Sequence, residues 1–252
     1  MILSLVNQKG GVGKTTTAVS LTASLSAKGK KVLLCDFDPQ ANATSGLGVE
    51  KNKVRYSSYD IVINGVAARE AIVKTKYGDI IPSGAALAGA GIELVALEQR
   101  EFRLRDALRT VEKDYDFILI DCPPSLELLT LNALCAADKV LIPVQCEYYA
   151  LEGLSDLMTT LRAVKRSYQP NMDIFGLVLT MFDGRTNLSL QVAQEVRRHF
   201  PGKVFATVIP RNVRLSEAPS HGLPIRVYDR LSRGAEAYDA LAEEVIRRAD
   251  KE

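Results

Sequence analysis

Short apolar runs alternate with longer segments of helical periodicity along the whole chain. Residues 2–6, 31–35, 79–81, 117–121, 140–144, 174–181 and 204–209 read as strands. Several of these runs are continuously hydrophobic and rich in β-branched residues, the pattern of parallel strands covered on both faces. Residues 15–28, 103–113, 126–136, 151–168, 188–200 and 234–249 read as helices, the first with Ala18, Leu21, Thr22 and Leu25 at helical spacing. This alternation predicts βαβ units and an α/β fold, a doubly wound, mostly parallel sheet flanked by helices. No linker, repeat or low-complexity tract interrupts it, so residues 1–252 are expected to form a single domain. In such a sheet ligands gather at the C-terminal ends of the strands.

Composition narrows the class. The chain is 47% hydrophobic and 25% charged, as ordinary globular proteins are. Its opening apolar run is too short for a signal peptide, and no run nears the roughly 20 apolar residues of a membrane helix, so a cytoplasmic protein is expected. Cys35, Cys122, Cys135 and Cys146 form no C-x-x-C pair and read as buried, reduced thiols. With only His199 and His221, a histidine-rich metal site is excluded. Net charge is +2 but uneven: from Arg197 to Arg233 eight Lys/Arg stand against Glu217 and Asp229, giving +6 and leaving −4 elsewhere. That distribution suits salt-sensitive contact with a polyanion, or simply a solvated face.

The chemistry starts where the first strand ends. Between that strand and the first helix lies Lys9-Gly10-Gly11-Val12-Gly13-Lys14-Thr15-Thr16, a strand–glycine loop–helix arrangement that cradles phosphates. The glycines let backbone N–H groups turn inward, Lys14 reaches the terminal phosphates and the Thr15 hydroxyl suits Mg²⁺. The usual phosphate-loop pattern would begin with glycine at position 8; here Gln8 stands there and an extra lysine, Lys9, follows. Two acidic strand ends accompany the loop. Asp36-Phe37-Asp38-Pro39 offers a carboxylate to bind Mg²⁺ or orient an attacking water, or simply starts a turn; for the functional role Asp38 is preferred because it lies further out of the sheet. Asp121 closes a second apolar strand and can support the metal or, more plainly, cap the next helix. Lys9 is surplus to its own loop: it is either simply solvated, the plainer reading of a lone lysine, or reaches a partner subunit's nucleotide, which would set two chains face to face with ATP between them.

Together these residues resemble the deviant Walker A ATPases of the ParA/MinD group, and specifically the short chromosome-partitioning ParA proteins also called Soj. The resemblance runs nearly end to end. Besides the phosphate loop it rests on Asp36-Phe-Asp-Pro-Gln-Ala-Asn, Ile120-Asp-Cys-Pro-Pro, Pro143-Val-Gln-Cys-Glu-Tyr-Tyr-Ala-Leu-Glu-Gly and Ile209-Pro-Arg-Asn-Val-Arg-Leu-Ser-Glu-Ala-Pro. It implies that Lys9 contacts the partner's ATP, Lys14 binds phosphates, Thr15 ligates Mg²⁺ with Asp121 in support, and Asp38 orients the hydrolytic water. It further implies that Pro210 and Asn212 flank the adenine and that Arg185 and Arg214 contact DNA. The implied function is a slow ATPase, monomeric without ATP and a sandwich homodimer with it. The dimer would bind double-stranded DNA without sequence preference on the nucleoid, and a ParB-type partner would stimulate hydrolysis. Because the chain opens at its first strand, the operator-binding region of longer plasmid relatives is not expected.

Other readings fit less well. A MinD-like ATPase cycling on membranes would need a basic amphipathic tail with large apolar side chains, but residues 241–252 are mixed in charge and lack aromatics. An electron-transfer ATPase like the nitrogenase iron protein would use Cys122 and Cys135 as cluster ligands, but both sit in core-like runs. A nucleotide-binding scaffold without turnover is disfavoured by Asp38.

Overall fold

The computed structural model describes residues 1–251, and in them one six-stranded sheet. The first half runs β1 (Ile2–Leu5), α1 (Lys14–Ala27), β2 (Val32–Asp36), α2 (Asn42–Gly46), α3 (Ser58–Val62), α4 (Ala68–Ala71), β3 (Asp79–Ile81), α5 (Leu87–Glu93) and α6 (Arg103–Arg109). The second runs β4 (Phe117–Asp121), α7 (Leu128–Ala136), β5 (Lys139–Gln145), α8 (Ala150–Ser167), β6 (Asp173–Thr180), α9 (Asn187–His199), α10 (Val213–Glu217), α11 (Ile225–Tyr228) and α12 (Arg233–Ala249). The strand order is β3-β2-β4-β1-β5-β6, and every neighbouring pair is parallel. The chain leaves β1 toward one edge and later returns to its other side, so a switch point lies beside β1.

Successive strand residues face opposite layers, as a pleated strand requires. Leu3, Leu5, Leu34, Leu119 and Leu141 pack with α1 and α12, whereas Ile2, Leu33, Ile118, Ile120 and Ile142 pack with the α3–α9 side. The doubly wound architecture expected from the hydrophobic pattern is therefore the one observed.

Two departures from the sequence reading have clear causes. Helix α1 is buried nearly all round, not along one stripe, because it lies between the sheet and α12. Several of its polar residues are satisfied inside the protein: the Thr22 hydroxyl donates to the Ala18 carbonyl at 2.7 Å, and Ser24 to Asp239 at 2.7 Å. Residues 204–209, expected as a strand, form only bridge contacts with the β6 side, at Val204 and Pro210. There β6 advances from Leu177 to Leu179 while its neighbour advances from Phe205 to Ile209, so two surplus residues loop away from the sheet. The short helices α2 to α5, α10 and α11 were not anticipated; at four to seven residues each they are too brief for periodicity to mark them.

Candidate functional site

The loop after β1 is shaped by its own residues. Gly11 and Gly13 take left-handed backbone angles, φ 75° and 90°, and Gly13 is the N-cap of α1. A side chain there would be strained, so glycine is the residue the turn requires. No side chain caps α1 and no acidic residue occupies its first turn, which leaves first-turn N–H groups open to an anion. Asn7 anchors the loop: its side-chain amide donates to the Pro143 carbonyl at 2.8 Å and its oxygen accepts from the Lys9 N–H at 3.0 Å. Thr180, at the end of β6, donates to the Val12 carbonyl at 2.8 Å. Lys14 is 7% exposed and its Nζ donates to the Lys9 carbonyl at 3.1 Å. Burial lowers its pKa, opposed chiefly by the carboxylate of Asp121.

The two acidic strand ends divide the expected roles. Asp36 is fully buried and accepts from the Thr44 N–H and hydroxyl, each at 2.7 Å, so it holds the turn into α2. Burial pushes its pKa up to about 6 against those hydrogen bonds. Asp38 accepts from the Gln40 N–H at 2.9 Å through Oδ1, and its Oδ2 has no partner among the described residues. Asp121 does not cap a helix, since α7 begins at Leu128 with Glu127 as N-cap. Both its carboxylate oxygens are buried without a hydrogen-bond partner among the described residues. Burial and the neighbouring Asp36 raise its pKa well above the ordinary range, opposed by the charge of the Lys14 ammonium. A buried carboxylate left open on both oxygens demands a counter-charge. With the Thr15 hydroxyl it forms a hard oxygen donor pair that fits Mg²⁺.

Lys9 stands apart from the cradle. Its Nζ pairs with Glu147 and lies 5.9 Å from the centre of the Tyr149 ring. Glu147 and Tyr149 belong to the loop between β5 and α8, and Tyr148 and Tyr149 beside them are exposed. Neither residue was singled out from the sequence, although both lie within the motif Pro143-Val-Gln-Cys-Glu-Tyr-Tyr. Gln8 donates to the Gly153 carbonyl and to Asp156, both at 3.3 Å, tying the loop's entrance to α8.

Pro210 and Asn212 line a cleft of about 220 Å³ whose opposite wall includes Gly13 and Thr16. Thr180 and Tyr238 also line it, so the structure brings the loop and the distant 210–212 segment together. Asn212 caps α10 by accepting from the Arg214 N–H at 2.8 Å, which leaves its NH₂ free to donate. Arg185 and Arg214 sit on neighbouring segments, because Phe182 donates to the Ile209 carbonyl at 3.0 Å and Arg211 donates back to the Phe182 carbonyl at 3.1 Å. Both arginines are exposed and paired within the chain. Arg185 makes two bonds to Asp183, at 2.9 and 2.7 Å, holding that carboxyl at about 2. Arg214 meets Glu217 at 2.8 Å and Asp229 at 3.4 Å. Exposed pairs of this kind are weak, so either guanidinium can exchange a carboxylate for a phosphate at little cost.

A family model described as an AAA domain matches residues 1–174. The chain is 58% identical to the sporulation initiation inhibitor protein Soj of Bacillus subtilis over 97% of both chains. It is 52% identical to the chromosome partitioning protein ParA of Myxococcus xanthus, over 98% of this chain and 88% of that one. The chain belongs to the ParA/Soj family of chromosome-partitioning P-loop ATPases. Among solved structures it is similar to cobyrinic acid a,c-diamide synthase from Mycobacterium smegmatis with bound ADP and magnesium. That match has a TM-score of 0.85 and 36% identity, covering 98% of this chain and 94% of that one.

Within the ParA/Soj fold two of the competing readings lose their structural footing. All four cysteines are free and buried, and burial pushes the Cys135 thiol up to about 12, against a role as exposed cluster ligands. The apolar face of α12, through Tyr238, Leu241, Ala242 and Val245, is packed on the core and is not available to a lipid surface. No helix among the described residues is long and apolar enough to cross a membrane.

Proposed function

We propose that this chain is an ATP-driven partition switch: it closes into a homodimer around two ATP molecules, the dimer binds double-stranded DNA without sequence preference, and hydrolysis resets it. The observation that carries the reading is the placement of two lysines. Lys14 is folded into its own loop, where its ammonium can meet the terminal phosphates. Lys9 points its charge to the rim, against Glu147 and exposed Tyr149, where a second subunit could receive it.

Gly10, Gly11, Val12, Gly13, Lys14, Thr15 and Thr16 would bind the phosphates, and Pro210 and Asn212 the adenine. Asp38, with one carboxylate oxygen open, would orient and accept a proton from the attacking water. Thr15 and Asp121 would hold Mg²⁺, which when bound neutralises charge on the β- and γ-phosphates. A γ-phosphate present in ATP and absent in ADP gives the dimer contacts that the monomer lacks, so ATP shifts the population toward the dimer. Slow intrinsic turnover leaves room for stimulation by a ParB-type protein. Arg185 and Arg214 would contact DNA phosphates, consistent with an association with the nucleoid.

Sedimentation with ATP, ADP or no nucleotide, with and without duplex DNA or anionic liposomes, tests this. ATP alone should double the mass, and DNA should co-sediment only with the ATP form. Co-sedimentation with liposomes and not with DNA would replace the reading with a membrane cycle. Arg214→Glu should weaken DNA association and leave the ATP dimer intact.

A further inference from the structure

Residues 203–214 carry the base side of the cleft and one DNA-contact candidate, yet they are not a strand. Their hydrogen bonds to β6 and its exit run from Phe205 to the Leu177 carbonyl, 2.9 Å, and from Ile209 to the Leu179 carbonyl, 2.8 Å. Between these points the chain has two residues too many for the ladder, and their N–H groups turn away from the sheet. Both are caught by one side chain. The Glu244 carboxylate, on α12, accepts from the Ala206 N–H at 2.9 Å and from the Thr207 N–H at 3.0 Å.

Glu244 is itself held. Arg248, one turn on, donates to it at 3.2 Å and to the Phe175, Lys203 and Val204 carbonyls at 3.2, 3.2 and 2.9 Å. Its guanidinium lies 3.9 Å over the Phe205 ring. The same helix grips the opposite wall: Tyr238 lines the cleft and shares a 3.0 Å hydrogen bond with Thr17 of α1, the helix that starts at the phosphate loop. One rigid element thus fixes the two walls relative to each other.

We propose that Glu244 is a positioning residue for base recognition: by clamping the surplus residues 206 and 207, it sets where Pro210 and Asn212 stand relative to the phosphate loop. This rests on the nucleotide reading above. Without the clamp the loop-out can relax along the sheet and pull on residues 210–212, which are then held by the backbone bonds of Ile209 and Arg211 to Leu179 and Phe182, while Gly11, Gly13 and Lys14 keep a geometry that does not depend on α12's carboxylate.

The test is a ratio. Glu244→Gln keeps one carbonyl oxygen for one N–H and sets an amide NH₂ against the other. ATP and inorganic tripolyphosphate, each with Mg²⁺, are titrated against the full chain by competition with a fluorescent ATP analogue. The variant should bind ATP about tenfold more weakly, the effect of one lost charge-assisted hydrogen bond, with tripolyphosphate affinity held within about twofold. Equal losses for both ligands would make Glu244 merely structural and overturn the proposal, as would no loss for either. If Glu244→Gln does not fold, Arg248→Lys, which retains the charge and loses the fork, carries the same comparison with a smaller ratio. Wild-type binding of ATP in the same titration checks the nucleotide reading separately, so its failure is distinguishable from that of the clamp.

Discussion

The phosphate loop and the wall that faces it across the cleft reach their shapes by opposite routes. The loop from Asn7 to Thr16 is one contiguous segment: its glycines supply the left-handed turns, Asn7 bonds the backbone two residues on, and a helix follows at once. The wall from Lys203 to Arg214 has little local preference for its path. It is suspended between β6 on one side and Glu244 and Arg248 of α12 on the other. The chain thus builds the phosphate loop chiefly from local residues, with Asn7, Gln8 and Thr180 tying it to its neighbours. The facing wall, proposed to meet the base, is tied instead to remote parts of the fold through Glu244 and Arg248 of α12, which allows the two to be perturbed separately.

The sharpest break is Lys14→Ala. It should leave the fold and the 210–212 wall intact and lower ATP affinity by about two orders of magnitude, the loss of strong charge-assisted contacts. Calorimetry that finds affinity unchanged would move the phosphates elsewhere. The complementary break is Gly176→Ala in β6. A Cβ there would stand 2.4 Å from Phe205 and 2.8 Å from Arg248, both packed in place. Overpacking of this kind costs about 1–3 kcal/mol, so the urea midpoint should fall and the clamped wall should loosen before the phosphate loop does. Equal loosening of both regions, by amide exchange, would erase the distinction.

Lys9 belongs to neither wall, and Glu147→Gln isolates it. Removing a part-exposed ion pair is worth at most about 1 kcal/mol, so freeing Lys9 should tighten ATP-dependent dimerisation by no more than about fivefold. Weaker dimerisation would instead place Glu147 within the interface. The smallest effect is a pH slope. Backbone N–H bonds, overcoming burial, lower the Glu244 carboxyl below its ordinary 4.5. The stability it confers is therefore complete above about 4.5 and is lost as pH falls through the folded value. Wild type and Glu244→Gln should differ most near neutrality and converge in acid; a gap constant with pH would mean that the charge is irrelevant to the clamp.

How much was legible follows the same division. The six strands of the sheet were readable because both faces of a parallel sheet must be apolar, and the hydrophobic runs say so. The Lys9–Thr16 loop was readable because left-handed turns need glycine. The preference for Asp38 over Asp36 in a functional role came from position along the strand; the structure adds that Thr44 occupies Asp36, while the role itself awaits test. The misreading of 204–209 as a seventh strand came from the same rule applied where it fails. Its residues are apolar enough, but a carboxylate from 38 residues later competes for the backbone. Glu147 was invisible as a partner of Lys9, since nothing local to either residue brings β5's exit beside the loop.

By itself the sequence determined the layered α/β architecture, the phosphate loop and the family to which the chain belongs, because each rests on residues close together or on a repeating pattern. Only the tertiary structure decided that Asp121 lacks a hydrogen-bond partner among the described residues, that Lys9 turns to Glu147 and that α12 holds the 206–207 segment. Those outcomes depend on which groups remain unpaired, or become paired, once remote segments are buried against each other, and the free energy of a buried charge is set by all its neighbours at once.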